Sequence, residues 1–294
     1  MKSSPSQQKV SRKEGRRVRS LNPMATLSPY IMKTRNTSSN FISDRVEVSR
    51  MEKYIHQKRE EGLASFGILH VLLASYVRCI SQLPGINRFI RGQKIYARNN
   101  IEIMMTIKKK MAINIPDTVI KMVFPPDVTA SEVYELVNKA IENNRKSDDL
   151  DSDFDLTAKA IDCIPSLLKK NFVFLLTVLD YFGLLPRSLV RVSPFHGSMF
   201  ITSMGSLGIP PIYHHLYDFG NCPVFLSFGI TKRCNELLKD GNVVTRRYLD
   251  YTFVTDERIC DGFYYATTLK MLRSLLIHPS ELDQKPETIV QDIP

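Results

Sequence analysis

Cysteine is scarce and shows no pairing pattern. The five residues Cys79, Cys163, Cys222, Cys234 and Cys260 are odd in number and widely spaced, with no C-x-x-C. This argues against a disulfide framework and a zinc site, and it fits a reducing, cytoplasmic setting. There is no glycine-rich phosphate loop, no H-E-x-x-H and no G-x-S-x-G, so nucleotide, zinc-protease and serine-hydrolase signatures are missing. The most apolar run, Asn171 to Pro186, is interrupted by Asp180 and closed by Gly183 and Pro186. It falls short of the ~20 apolar residues that span a bilayer. A buried helix or a hydrophobic contact surface is expected there. The basic N-terminus has no apolar stretch of the kind a secretory signal carries.

Acids are the minority charge, 30 against 40 bases, for a net charge of +10. The excess is uneven. Residues 1–22 carry Lys2, Lys9, Arg12, Lys13, Arg16, Arg17 and Arg19 against Glu14 alone. A short basic tail has no specificity of its own, so a solvated arm is expected rather than a nucleic-acid contact. Residues 144–155 hold Asp148, Asp149, Asp151, Asp153 and Asp155. Without a turn glycine or a closing glutamate they read as a linker, not a calcium loop. No metal site is expected.

What is present suffices for a large core: 43% of 294 residues are hydrophobic. Leu69, Leu72, Leu73, Tyr76, Val77 and Ile80 recur at helical spacing and predict a helix over 65–82, ended by Pro84-Gly85. Ser49 and Glu52 predict a capping box at the start of a helix over 49–61. Further helices are expected over 131–143, in two pieces over 156–187, and over 261–276. Strands are expected over 41–48, 94–98, 100–108, 118–124, 199–203, 224–230 and 243–254. Asp240-Gly241-Asn242 marks a hairpin between the last two. The mixed order predicts an α+β fold, a two-layer sandwich of a mixed sheet with helices. Residues 1–30 read as a basic flexible arm, 31–282 as the domain with a helical insertion near 145–195, and 283–294 as a loose tail.

Two segments resemble a known family. Gly197-Ser198-Met199-Phe200-Ile201-Thr202-Ser203-Met204-Gly205-Ser206-Leu207-Gly208-Ile209 is similar to the G-x-F-T-I-S/T-N-x-G-x-x-G stretch of the chloramphenicol acetyltransferase-like acyltransferases, nearest to dihydrolipoamide acyltransferase catalytic domains. Asp256-Glu257-Arg258-Ile259-Cys260-Asp261-Gly262 looks like the family's D-H-R-x-x-D-G, with Glu257 in place of the histidine. Pro84-Gly85-Ile86-Asn87, Val224–Gly229 and the ending His278-Pro279-Ser280-Glu281-Leu282 add weaker likeness in the same order. No lipoyl domain or lipoyl attachment site is recognised.

The resemblance implies a trimer with its site between subunits, acyl-CoA and a small thiol or hydroxyl acceptor as partners, and coenzyme A as the acyl carrier. It places Thr202 on the hydroxyl that stabilises an oxyanion, Glu257 on the general base and Asp261 on a loop-holding acid paired with an arginine, Arg258 or Arg35. The residues that would bind coenzyme A are not identified. With reference pKa values of ~6.5 for His and ~4.3 for Glu, proton transfer to Glu257 is roughly 3 kcal/mol harder unless burial raises it. The alternative is an inactive member serving as a trimeric scaffold or ligand-binding protein. His196 and His214 are the other bases near Thr202 in sequence. Cys260, beside Asp261, reads as a buried inert thiol.

Overall fold

Alternation along the central strands separates two faces of one sheet, because successive side chains on a strand point to opposite sides. In β7 (Met199–Ser203), Met199 and Ile201 are buried while Phe200 and Thr202 are half-buried. The computed structural model describes residues 14–108, 117–146 and 162–294. The acidic run 148–155, the first part of the basic arm and the first helix of the 156–187 pair lie outside these residues.

The main sheet has six strands in the order β2-β9-β8-β7-β5-β6. These are β2 (Ser39–Glu47), β9 (Val243–Asp256), β8 (Val224–Leu237), β7, β5 (Ile101–Lys108) and β6 (Asp117–Phe124). The β8–β7 and β7–β5 pairs are parallel and the others antiparallel. The mixed α+β sandwich read from the sequence is therefore correct. A smaller antiparallel sheet joins β1 (Gly15–Arg17), β4 (Lys94–Arg98) and β3 (Arg88–Arg91).

One face of the main sheet carries the core. Ile103, Ile201, Leu226 and Phe253 share one hydrophobic core with the buried helix α3 (Ile68–Gln82), which is flanked by α4 (Ala130–Lys146) and α7 (Gly262–Ile277). Each fully buried leucine of α3, such as Leu72 or Leu73, contributes roughly 1.5–3 kcal/mol. The register places Phe41, Val254, Phe225 and Phe200 side by side on the other face. Ser43, Thr252, Ser227 and Thr202 form a parallel row of hydroxyls next to them.

Several expectations are corrected. The arm over 1–30 contains, in its described part, β1 and the helix α1 (Pro23–Ile31), capped by Asn22, whose side chain accepts from the Ala25 N–H at 2.7 Å. The tail over 283–294 is not loose. Asp292 takes two hydrogen bonds from the buried Arg88 at 2.6 and 2.7 Å, and the Pro294 carbonyl accepts from the Arg19 and Ser20 amides. At the start of α2 (Ser49–Glu60) the expected capping box does not form, because Ser49 turns back to Glu47 and Val48 is the cap. Helix α3 begins at Ile68, where the Gly67 amide donates to His70 Nδ1 at 3.1 Å. The insertion, in its described part, forms α5 (Ser166–Phe182) and the short α6 (Arg187–Val192).

Candidate active site

The glycines of the first motif are imposed by packing. A Cβ on Gly197 would overlap the Met104 sulfur, and one on Gly205 would sit 2.6 Å from the Gly229 carbonyl oxygen on β8. Gly208, at φ +77°, closes the turn that follows β7. The loop beyond it folds back over the sheet's second face. Ile212 is held there twice: its amide donates to Ser227 Oγ at 3.1 Å, and its carbonyl accepts from Thr252 Oγ1 at 2.6 Å.

Two members of the hydroxyl row are thereby consumed, and Thr202 is not. Its hydroxyl makes no hydrogen bond among the described residues, so the ordinary use of a strand threonine, satisfying nearby backbone, is absent. A half-buried hydroxyl with its donor free can meet an oxyanion.

His214 lies on the same face. Its ring stacks on Phe225 at 4.2 Å, and Phe225 stacks on Phe200 at 5.2 Å. Nδ1 faces the His215 carbonyl at 2.8 Å, so it carries the proton and leaves Nε2 with the lone pair. Burial lowers its pKa below that of an ordinary histidine, which favours the neutral ring. By strand spacing, His214 lies on the order of 10 Å from Thr202.

His196 has another role. It is 1% exposed, with Nε2 3.1 Å from Asp180 Oδ1 and Nδ1 2.8 Å from Ser193 Oγ. Asp180 also accepts from the Gly220 amide at 3.1 Å. Burial pushes the Asp180 carboxyl up, but the His196 hydrogen bond and charge and the Gly220 amide bring it below its ordinary value. The Ser–His–Asp order looks like a catalytic relay, yet Ser193 and His196 are both buried, so no substrate reaches that hydroxyl. The trio fastens α5 to the body. Asp180, the acid that interrupts the apolar run, was its signal in the sequence.

The second motif ends β9 and opens α7. Asp256, 1% exposed, is its anchor. Arg258 grips it with Nε at 2.8 Å and Nη2 at 2.7 Å, Ser38 Oγ donates at 3.1 Å, and Arg35 Nε stands at 3.5 Å. Arg35 continues to the Tyr217 and Gly220 carbonyls at 2.6 and 2.9 Å. This corrects the expected pairing: neither arginine holds Asp261. Asp261 is exposed and caps α7, accepting from the Tyr264 amide at 2.8 Å. Cys260 is inert by environment, burial pushing its thiol up to about 12.

Glu257 projects to solvent from this anchored turn. Only its backbone is tied, the amide donating to the Ser38 carbonyl at 2.9 Å, and its carboxylate has no partner among the described residues. The register sets its distance from Thr202. Thr202 pairs with Ser227 and Ser227 with Thr252, five residues before Glu257. At ~3.3 Å per residue and ~4.8 Å per strand, the two are roughly 20 Å apart within one chain. Thr202, Glu257 and Asp261 are therefore not one cluster in a single copy.

No family model and no curated sequence matches this chain. Solved structures do. A probable dihydrolipoamide acetyltransferase from Listeria monocytogenes is similar over 92% of this chain and 97% of its own, at 15% identity and TM-score 0.54. The cubic core of the pyruvate dehydrogenase multienzyme complex is similar over 90% and 93%, at 14% identity and TM-score 0.52. Chloramphenicol acetyltransferase is similar over 87% and 96%, at 14% identity and TM-score 0.53. The fold is that of the chloramphenicol acetyltransferase-like proteins and of dihydrolipoamide acyltransferase cores.

Proposed function

We propose that this chloramphenicol acetyltransferase-like fold transfers an acyl group from coenzyme A to a thiol or hydroxyl acceptor, at a site completed between neighbouring copies. The observation that carries the reading is Thr202, whose hydroxyl is left free among the described residues while Ser227 and Thr252 beside it are used to hold a loop. The acceptor's oxygen or sulfur attacks the thioester carbonyl carbon, and the oxyanion takes a hydrogen bond from Thr202. The intermediate then expels the coenzyme A thiolate. A base removes the acceptor's proton and returns it to the leaving sulfur.

Glu257 of an adjacent copy is that base. The buried Asp256–Arg258 pair fixes the turn from which it projects. An adjacent copy covering the carboxylate would remove water from it and raise its basicity. The likeness to the core of a multienzyme complex supports an assembled form, with a trimer as the proposed unit. A second reading, a non-catalytic scaffold, is favoured by the exposure of Glu257.

Purified full-length chain, incubated with acyl-CoA donors, candidate acceptors and a thiol-trapping dye across pH, tests both. Thiol release above buffer that Thr202→Val and Glu257→Gln each abolish supports the transferase. Release lost in His214→Asn but kept in Glu257→Gln moves the base to His214. No release from wild type, with activity appearing in Glu257→His, supports the scaffold.

A further inference from the structure

Helix α5 is rich in apolar residues on two sides, with Lys170, Asn171 and Thr177 among its exposed polar residues. Phe172, Leu176 and Leu179 are half-buried and Asp180 is buried, so this flank faces the body. The opposite flank is open. Leu167, Phe174 and Tyr181 recur every seven residues, with Leu168, Leu175 and Phe182 beside them, and all six are exposed. Leu167 is 86% exposed, Phe174 69% and Phe182 67%, and Leu184 continues the surface at 65%. An exposed apolar face of this extent calls for a covering surface. At 17 residues it is about 25 Å long. No helix among the described residues is long and apolar enough to cross a membrane.

Charge and shape narrow the occupant. Lys170 on α5, and Arg187 and Arg191 on α6 directly after it in the chain, are exposed and have no ion-pair partner among the described residues. Asp162, the exposed acid nearby, is already paired with Lys169 at 2.6 Å. A two-fold contact of this patch with itself would bring like charges together with nothing to neutralise them, and the head-to-tail contacts of the proposed trimer do not pair the patch with itself. An anionic surface neutralises them. The two heptad columns lie about 100° apart, with Asn171 between them, wider than the single seam that a partner helix covers, and suit a flat apolar medium.

We propose that α5, together with the exposed bases Lys170 on it and Arg187 and Arg191 on α6, docks the protein on an anionic lipid surface, its outer face lying among the acyl chains parallel to the membrane plane. The His196–Asp180–Gly220 bonds hold the helix to the body, so docking positions the whole domain at the lipid.

The chain contains no tryptophan, so Phe174→Trp places a sole indole at the centre of the face. Leu237→Trp, on the exposed tip of the β8–β9 hairpin, is the control. Each full-length variant is mixed with vesicles of equal parts phosphatidylcholine and phosphatidylglycerol, and with phosphatidylcholine alone. The expected result is a blue shift at position 174 with anionic vesicles only, and none at 237. Adding Lys170→Glu and Arg187→Glu to the reporter should weaken vesicle binding by roughly tenfold or more. The proposal is overturned if the indole of the Phe174→Trp variant does not shift with anionic vesicles. That holds even if the chain floats with them through its basic N-terminal residues. It is also overturned if the same indole shifts on raising protein concentration without lipid, which would assign the face to a second copy.

Discussion

The replacement Asp256→Asn tests whether the buried acid of the second motif, not the exposed one, organises this end of the molecule. Asp256 is the anion for two guanidinium groups, each on a residue only 4% exposed. Asparagine keeps the shape and removes the charge, leaving Arg35 and Arg258 buried without a counter-ion. Breaking a buried ion pair from one side costs about 3–5 kcal/mol, because the remaining charge stays desolvated. With an unfolding entropy of about 2.1 cal/mol/K per residue, that becomes a fall in Tm of roughly 5–8 °C for a chain of this size. Asp261→Ala removes only a helix cap, about 1 kcal/mol, and should lower Tm by roughly 2 °C. Thermal melts followed by circular dichroism compare the two directly. Equal shifts, or a larger one for Asp261→Ala, would refute the assignment of Asp256 as the anchor.

Two further outcomes follow from packing and titration. Gly205→Ala should cost about 1–3 kcal/mol in urea unfolding, since its Cβ meets backbone atoms of Gly229 at 2.6 and 3.0 Å that no side-chain motion can clear; an unchanged urea midpoint would contradict the close approach. His70 is held neutral by burial, its pKa lowered from 6.5 to about 4. The unfolded chain therefore takes up that proton first as pH falls. Its contribution is complete above pH 6.5 and declines towards pH 4, by about 3 kcal/mol in all. Urea midpoints over that range should fall less steeply for His70→Gln than for wild type, and parallel curves would exclude His70 as the source.

Much of the fold is legible because it rests on local periodicity. The helical face through Leu72, Leu73 and Tyr76, the strand at Met199–Ser203 and the Asp-Gly hairpin all follow from spacing and turn chemistry. What escaped depends on distant partners. Helix α1 is short, and the C-terminal segment is ordered by Arg88 reaching Asp292 across 204 positions. Motif register pointed to Thr202 and Glu257 as candidates but could not tell which acid carries the arginines. Asp256 and Asp261 both fit the pattern. The choice is made by burial: β9 carries Asp256 inside, while Asp261 falls on the exposed helix start. The apolar run was readable as a helix, but which of its sides lies open is defined by the residues that Asp180 and His196 pin inward.

Mixing two inactive variants tests the central claim most directly. Thr202→Val and Glu257→Gln are each prepared as full-length protein, dissociated, combined in equal amounts and reassembled, and acyl transfer is measured by thiol release. If each site takes Thr202 from one copy and Glu257 from the next, head-to-tail pairing restores about a quarter of the wild-type sites. Little activity in either variant alone, and that partial recovery in the mixture, is the predicted result. No recovery from a mixture shown to have exchanged its subunits would contradict a site shared between copies.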